Sequence, residues 1–98
     1  MKFAEVKMVT IMKLMEVKVD RFTISKESMN EVENILKLEG KDADELTAIR
    51  NTIVKTFDDM AHDAREENDY DTFDKVRIHM SGIVAVIDNK LFEMGALY

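Results

Sequence analysis

The sequence predicts an all-α protein built around an antiparallel helical hairpin. The 98-residue chain has no proline and only three glycines, its apolar residues recur at spacings of three and four, and helix-capping sequences divide this pattern. A chain of this length has room for one hydrophobic core. Residues 1–98 are therefore expected to form a single small domain, with residues 1–24 as an arm.

The hairpin is predicted from two helices of similar length, at about 43–66 and 71–94. Asp42 and Glu45 have the spacing of a capping box, and the polar sequence 68–71 supplies the turn between the helices. Each helix carries one apolar stripe, formed by Leu46, Ile49, Ile53, Phe57, Met60 and Ala64 in the first and by Phe73, Val76, Met80, Ile83, Val84, Ile87, Leu91 and Met94 in the second. The β-branched residues within 83–92 are also typical of a buried strand, so a β-hairpin is an alternative prediction for this segment.

Two further segments precede the hairpin. Ser25 is a helix cap and Gly40 a helix stop, so the apolar spacing between them predicts a shorter helix at about 26–39. In the arm, apolar spacing favours a helix to about Glu16, whereas the alternation in 17–24 favours extended chain. For residues 1–24, helix and strand are therefore both kept as alternative predictions.

Composition excludes several function classes. The chain has no cysteine, so disulfides, cysteine-ligated zinc and thiol nucleophiles cannot occur. No apolar run is long enough for a signal peptide or a membrane span, which favours a cytoplasmic protein without a membrane partner. The sequence also has no phosphate-binding loop and no nucleophile elbow. We therefore expect no enzymatic activity, no cofactor, and no catalytic or metal-ligating residue.

The negative charge of the chain lies in its second half. The net charge is −6, and residues 42–98 hold thirteen acidic and six basic side chains. Such a charge disfavours nucleic acid and favours basic partners. A candidate surface for a basic protein partner lies at the end of the first hairpin helix and comprises Asp58, Asp59, Asp63, Glu66 and Glu67. A solvated helix end with capping carboxylates is the competing interpretation.

A second candidate surface is apolar on every side of the helix. It comprises Ile83, Val84, Val86 and Ile87. One hairpin partner can cover only one side of such a helix, so the rest must meet either the arm or a second subunit. The sequence thus predicts a homo-oligomer that associates through these four residues, with cover by the arm as the alternative.

Residues 17–57 resemble a ribbon-helix-helix DNA-binding domain, because an extended segment 17–24 precedes a helix, Gly40 and a second capped helix. The resemblance implies that two chains pair their ribbons, that Arg21 and Thr23 contact bases in the major groove, and that Lys18 lies near the DNA backbone. Asp42 and Asp44 lie where a phosphate would be expected, which disfavours this interpretation.

The sequence therefore favours a small non-enzymatic inhibitor or adaptor that binds a protein partner as a homo-oligomer. A ribbon-helix-helix transcriptional regulator is the first alternative. An oligomer that sequesters a small ligand is the second, because such sites need no sequence motif.

Overall fold

The computed structural model describes residues 2–21 and 23–96, and within these ranges it contains four helices and no strand. The helices are α1 (Met8–Glu16), α2 (Lys26–Leu36), α3 (Ala43–Glu66) and α4 (Tyr70–Glu93), and they include 72% of the described residues. The prediction of an all-α fold with α3 and α4 as a hairpin is confirmed.

α3 has the predicted bounds because its start is encoded locally. The Asp42 carboxylate accepts a hydrogen bond from the Glu45 amide (2.8 Å), and the Glu45 carboxylate accepts one from the Asp42 amide (3.2 Å). At the other end the chain leaves the helix through Asn68, which has a φ of 60°. The Asp69 amide then donates to the carbonyl of Ala64 (2.8 Å), which closes the turn of the hairpin.

α4 starts one residue earlier than predicted, because Asp69 is its cap and accepts a hydrogen bond from the Thr72 amide. It is helical through residues 83–92, so the alternative of a strand hairpin there is wrong. Packing decides the structure, since Ile83, Val86 and Ile87 are at most 1% exposed. Burying side chains of this size contributes about 1.5–3 kcal/mol each, which exceeds the intrinsic β preference of the segment.

α2 ends at Leu36, three residues before the predicted end. Lys37 adopts a left-handed conformation with a φ of 54°, and the Leu38 amide donates to the carbonyl of Glu33 (3.0 Å). This geometry places Leu38 in the core at 2% exposure. Burial of Leu38 thus ends the helix before Gly40, which the sequence favoured as the stop.

The arm consists of α1 flanked by non-helical segments, in agreement with a helix that ends at Glu16. Residues before α1 lie along α3, where the Thr52 hydroxyl accepts from the Ala4 amide (2.8 Å) and donates to the Ala4 carbonyl (2.7 Å). The Asn51 side-chain amide donates to the carbonyl of Lys2 (3.1 Å). After α1, the chain crosses α4 at Val17 and Val19.

One hydrophobic core joins all four helices. α3 packs along α4, while α1 and α2 pack against each other and against α4. The core is formed mainly by Ile11, Leu14, Val17, Val32, Leu36, Leu38, Leu46, Ile49, Ile53, Phe57, Val76, Ile83, Val86, Ile87 and Leu91. No helix in the described ranges has the length and apolarity required to cross a membrane.

Candidate functional site

The five carboxylates of the predicted partner surface are all exposed, four on the solvent side of α3 and Glu67 at the C-terminal cap of that helix. They are exposed because the opposite side of the same turns is buried, where Phe57, Ala61 and Ala64 are at most 5% exposed. The helical spacing of these small and aromatic residues therefore directs Asp58, Asp59, Asp63, Glu66 and Glu67 outward.

Two of these carboxylates lie next to a basic side chain on the same helix, Lys55 for one and His62 for the other, and the second pair is ionic only with a protonated imidazole. Lys55 Nζ lies 3.1 Å from Asp59 Oδ2, and His62 Nε2 lies 3.6 Å from Glu66 Oε1. The four side chains are 63–70% exposed, so solvent screens both pairs and their contribution to stability is small. Most of the negative charge on this surface thus remains available to a partner.

The first turn of α4 continues the acidic surface across the hairpin turn. Asp71 in this turn and Asp74 just after it are exposed, and Asp69 caps the helix. The Thr72 hydroxyl and amide both donate to the Asp69 carboxylate, and these hydrogen bonds lower the pKa of Asp69 from its ordinary value. Asp69 therefore stays charged at neutral pH. We call residues 58–74 the acidic hairpin end.

Tyr70 is a feature of this surface that the sequence did not single out. Its side chain is 59% exposed at the start of α4, and its hydroxyl lies 3.3 Å from Asn68 Oδ1. The sequence signal was weak, because an aromatic residue next to a turn and outside the apolar stripe has no defined role. Tyr70 thus exposes apolar surface at a position between Asp69 and Asp71 in the sequence.

No group of three or more acidic or histidine side chains within residues 2–21 and 23–96 is arranged to hold a metal ion.

The second predicted surface is covered by the chain itself. Ile83, Val86 and Ile87 are buried and Val84 is partly buried, because α1, α2 and α3 surround α4 at this level. This burial agrees with the alternative of cover by the arm, and self-association of the chain stays a prediction. The larger exposed apolar side chains instead include Met8, Val9 and Met12 on the outer side of α1.

The predicted DNA-contacting residues Lys18, Arg21 and Thr23 are exposed, but the segment that carries them is not a straight ribbon. The Asp20 amide donates to the carbonyl of Thr23 (3.1 Å), whereas residues three apart in extended chain are separated by about 10 Å. Val17, on the inner side, is 2% exposed. Phe22, in the same segment, lies outside the described residues. Pairing of two such segments would require this chain to leave α4.

Comparison with protein-family models, with curated proteins and with solved structures gives no match for this chain.

Proposed function

We propose that the protein acts as a small non-enzymatic binding protein, an inhibitor or adaptor, whose acidic hairpin end contacts a basic surface of a protein partner. The observation that supports this proposal most strongly is that eight carboxylates from both sides of the hairpin turn and one tyrosine are all exposed within residues 58–74. A surface of this kind provides both long-range attraction and a site for close contact.

The charge of the acidic hairpin end supports a basic partner. Residues 58–74 contain eight acidic side chains and one arginine, a formal charge of −7, while the whole chain carries −6. The remainder of the molecule is therefore close to neutral. A field concentrated at one end of the molecule orients an approaching partner and accelerates association, and salt weakens it.

Tyr70 supports a specific contact within this field. Tyrosine is enriched among residues that dominate binding energy, because its ring buries a large area while its hydroxyl still forms a hydrogen bond. Its 59% exposure leaves the ring free to enter a partner's pocket or to stack on an arginine. The surrounding carboxylates would then form the charged rim of the interface.

A capture experiment with two charge-matched variants tests the proposal. The first variant neutralises the surface through Asp58→Asn, Asp59→Asn, Asp63→Asn, Glu66→Gln and Glu67→Gln. The control removes the same number of charges from exposed positions elsewhere through Glu27→Gln, Glu31→Gln, Glu39→Gln, Asp44→Asn and Glu93→Gln. Tagged forms of both variants and of the unmodified protein are used to capture proteins from a lysate of the source organism.

We expect one protein to be captured by the unmodified chain and by the control, and to be lost with the neutralised surface and with Tyr70→Ala. Circular dichroism establishes that all variants are folded. If the neutralised variant retains every protein that the control retains, the acidic hairpin end is not the binding surface.

A further inference from the structure

A second surface, with different chemistry, lies at the start of α3, whereas the acidic hairpin end lies at the end of α3. An open groove of about 450 Å³ is bounded by the segment before α1, the end of α2 and the start of α3. We propose that this groove binds a small carboxylate with an apolar tail. The site is separate from the acidic hairpin end and does not depend on the function proposed for it.

The floor of the groove is apolar. Leu36 and Ile49 line it from the core at 7% exposure each, while Val6, Ile35 and Ala48 line it with partly exposed side chains. These five side chains come from three different elements, so the apolar floor exists only in the folded protein. An aliphatic tail placed on this floor would remove both its own surface and theirs from water.

Three lysines line the same groove. They are Lys7, Lys37 and Lys41, and none has a carboxylate within 4.0 Å among the described residues, so their charges are available to an anion. Of the two acidic residues that line the groove, Glu45 is engaged in the capping box of α3, and Glu5 is exposed. The lining side chains thus carry three positive and two negative formal charges, a local excess of one positive charge in a chain with a net charge of −6.

The segment before α1 forms one wall of the groove, and hydrogen bonds to α3 hold this segment in place. The amide and the carbonyl of Ala4 both bond to the Thr52 hydroxyl, and the Ala4 amide also lies 3.2 Å from the carbonyl of Ala48. The side-chain amide of Asn51, the residue before Thr52, donates to the carbonyl of Lys2 (3.1 Å). The wall is therefore formed before a ligand arrives, which lowers the entropic cost of binding.

Size and charge together define the ligand class. A volume of 450 Å³ corresponds to roughly 15 water molecules at about 30 Å³ each, which accommodates a ligand of about ten non-hydrogen atoms such as octanoate. The lysines pair with the carboxylate at the mouth, and the tail covers the floor. A compact inorganic anion would pair with the lysines but would leave the apolar floor exposed to water. A neutral lipid would cover the apolar floor but would not pair with the lysines.

Titration of the ¹⁵N-labelled full chain with octanoate, with octanamide and with inorganic phosphate tests the proposal. We expect octanoate to shift the amide signals of Ile35, Ala48 and Ile49 with saturation in the micromolar to millimolar range. Octanamide, which has the same tail without the charge, should bind about tenfold more weakly, as should phosphate. Equal affinity for octanoate and octanamide, or no shift at these residues, would overturn the proposal.

Matched variants assign the contacts. Lys7→Gln/Lys37→Gln/Lys41→Gln should weaken octanoate binding about tenfold and leave octanamide binding unchanged, since each exposed ion pair contributes a fraction of 1 kcal/mol. Lys18→Gln/Lys26→Gln/Lys75→Gln removes the same charge from exposed positions outside the groove and should bind octanoate like the unmodified chain. Equal weakening by both triple variants would indicate a general charge effect and would contradict a site in the groove.

Discussion

The imidazole of His79 lies between its own helix and the arm, with Nε2 2.9 Å from the carbonyl oxygen of Val17, sixty-two residues earlier. Its Nδ1 lies 2.8 Å from the carbonyl of Lys75. One turn further along α4, Gly82 leaves room for Val19. The segment after α1 is therefore fixed to α4 at two neighbouring points, and this crossing covers the apolar side of α4.

The contact between Gly82 and Val19 predicts how a methyl group added at position 82 changes the stability of the protein. A Cβ at position 82 would lie 2.5 Å from Val19 Cγ1, and valine is stiff because it is branched at Cβ. In an exposed helix Gly→Ala is stabilising by about 1 kcal/mol. Here we expect Gly82→Ala to lower the free energy of unfolding by about 1–2 kcal/mol, measured by urea denaturation.

Two controls accompany this measurement. Ser81→Ala, at the exposed neighbouring position, should change the free energy of unfolding by less than about 0.5 kcal/mol. Adding Val19→Ala to Gly82→Ala should recover part of the lost stability, because it removes the crowded methyl groups. A stabilising effect of Gly82→Ala alone would show that the arm does not cross α4 there.

The two histidines form a matched pair for testing the crossing. His79 is 6% exposed and bonds to the Val17 carbonyl, whereas the side chain of His62 is 69% exposed. We expect His79→Ala to lower the free energy of unfolding by about 2–4 kcal/mol, because it creates a cavity and leaves a buried carbonyl without a donor. His62→Ala should change it by less than about 0.5 kcal/mol. Equal effects would contradict the buried role of His79.

The cap of α4 predicts a dependence of stability on pH. Hydrogen bonds from Thr72 lower the pKa of Asp69 below its ordinary value of 3.8. Its contribution to stability is therefore fully present above 3.8 and is lost as the pH falls through the lower native pKa. Asp69→Asn retains a capping oxygen but does not titrate.

Urea denaturation of both proteins at several pH values measures this contribution. The stability of the unmodified protein relative to Asp69→Asn should be constant near neutral pH and should decrease in acid. A difference that does not change with pH would show that the carboxylate has no preferential interaction in the folded state.

The exposed residues of the arm predict no specific binding of duplex DNA at physiological salt. Lys18 and Arg21 are accompanied by Glu16 and Asp20, so little charge is available to replace counterions on DNA. A gel-shift assay with the DNA upstream of the protein's own gene measures this. A retarded band that survives competitor DNA and disappears with Arg21→Ala would favour the ribbon-helix-helix interpretation instead.

Local signals in the sequence predicted the hairpin closely. The bounds of α3 follow from a capping box and an apolar stripe, both of which are encoded within a few residues. The end of α2 was predicted less well, because burial of Leu38 depends on the other helices. The outward position of the carboxylates on α3 follows from periodicity, so the candidate surface was also predictable.

Contacts between distant residues were beyond sequence reasoning. The all-round apolar stretch of α4 indicated that a second layer had to cover it, but periodicity could not distinguish the arm from another subunit. The pairing of Val17 with His79 spans sixty-two residues and depends on the path of the arm. Tyr70 was missed because exposure of an aromatic side chain beside a turn has no sequence pattern, and the groove was missed because it draws on three separate elements.

Hydrogen–deuterium exchange on the complex with the captured partner tests the central proposal most directly. We expect partner binding to slow exchange at backbone amides of residues 58–74, with no change in α2. Because salt screens the acidic hairpin end, this protection should decrease as the salt concentration rises. Protection confined to α1 or α2, with exchange in residues 58–74 the same in the free and bound protein, would contradict binding through the acidic hairpin end.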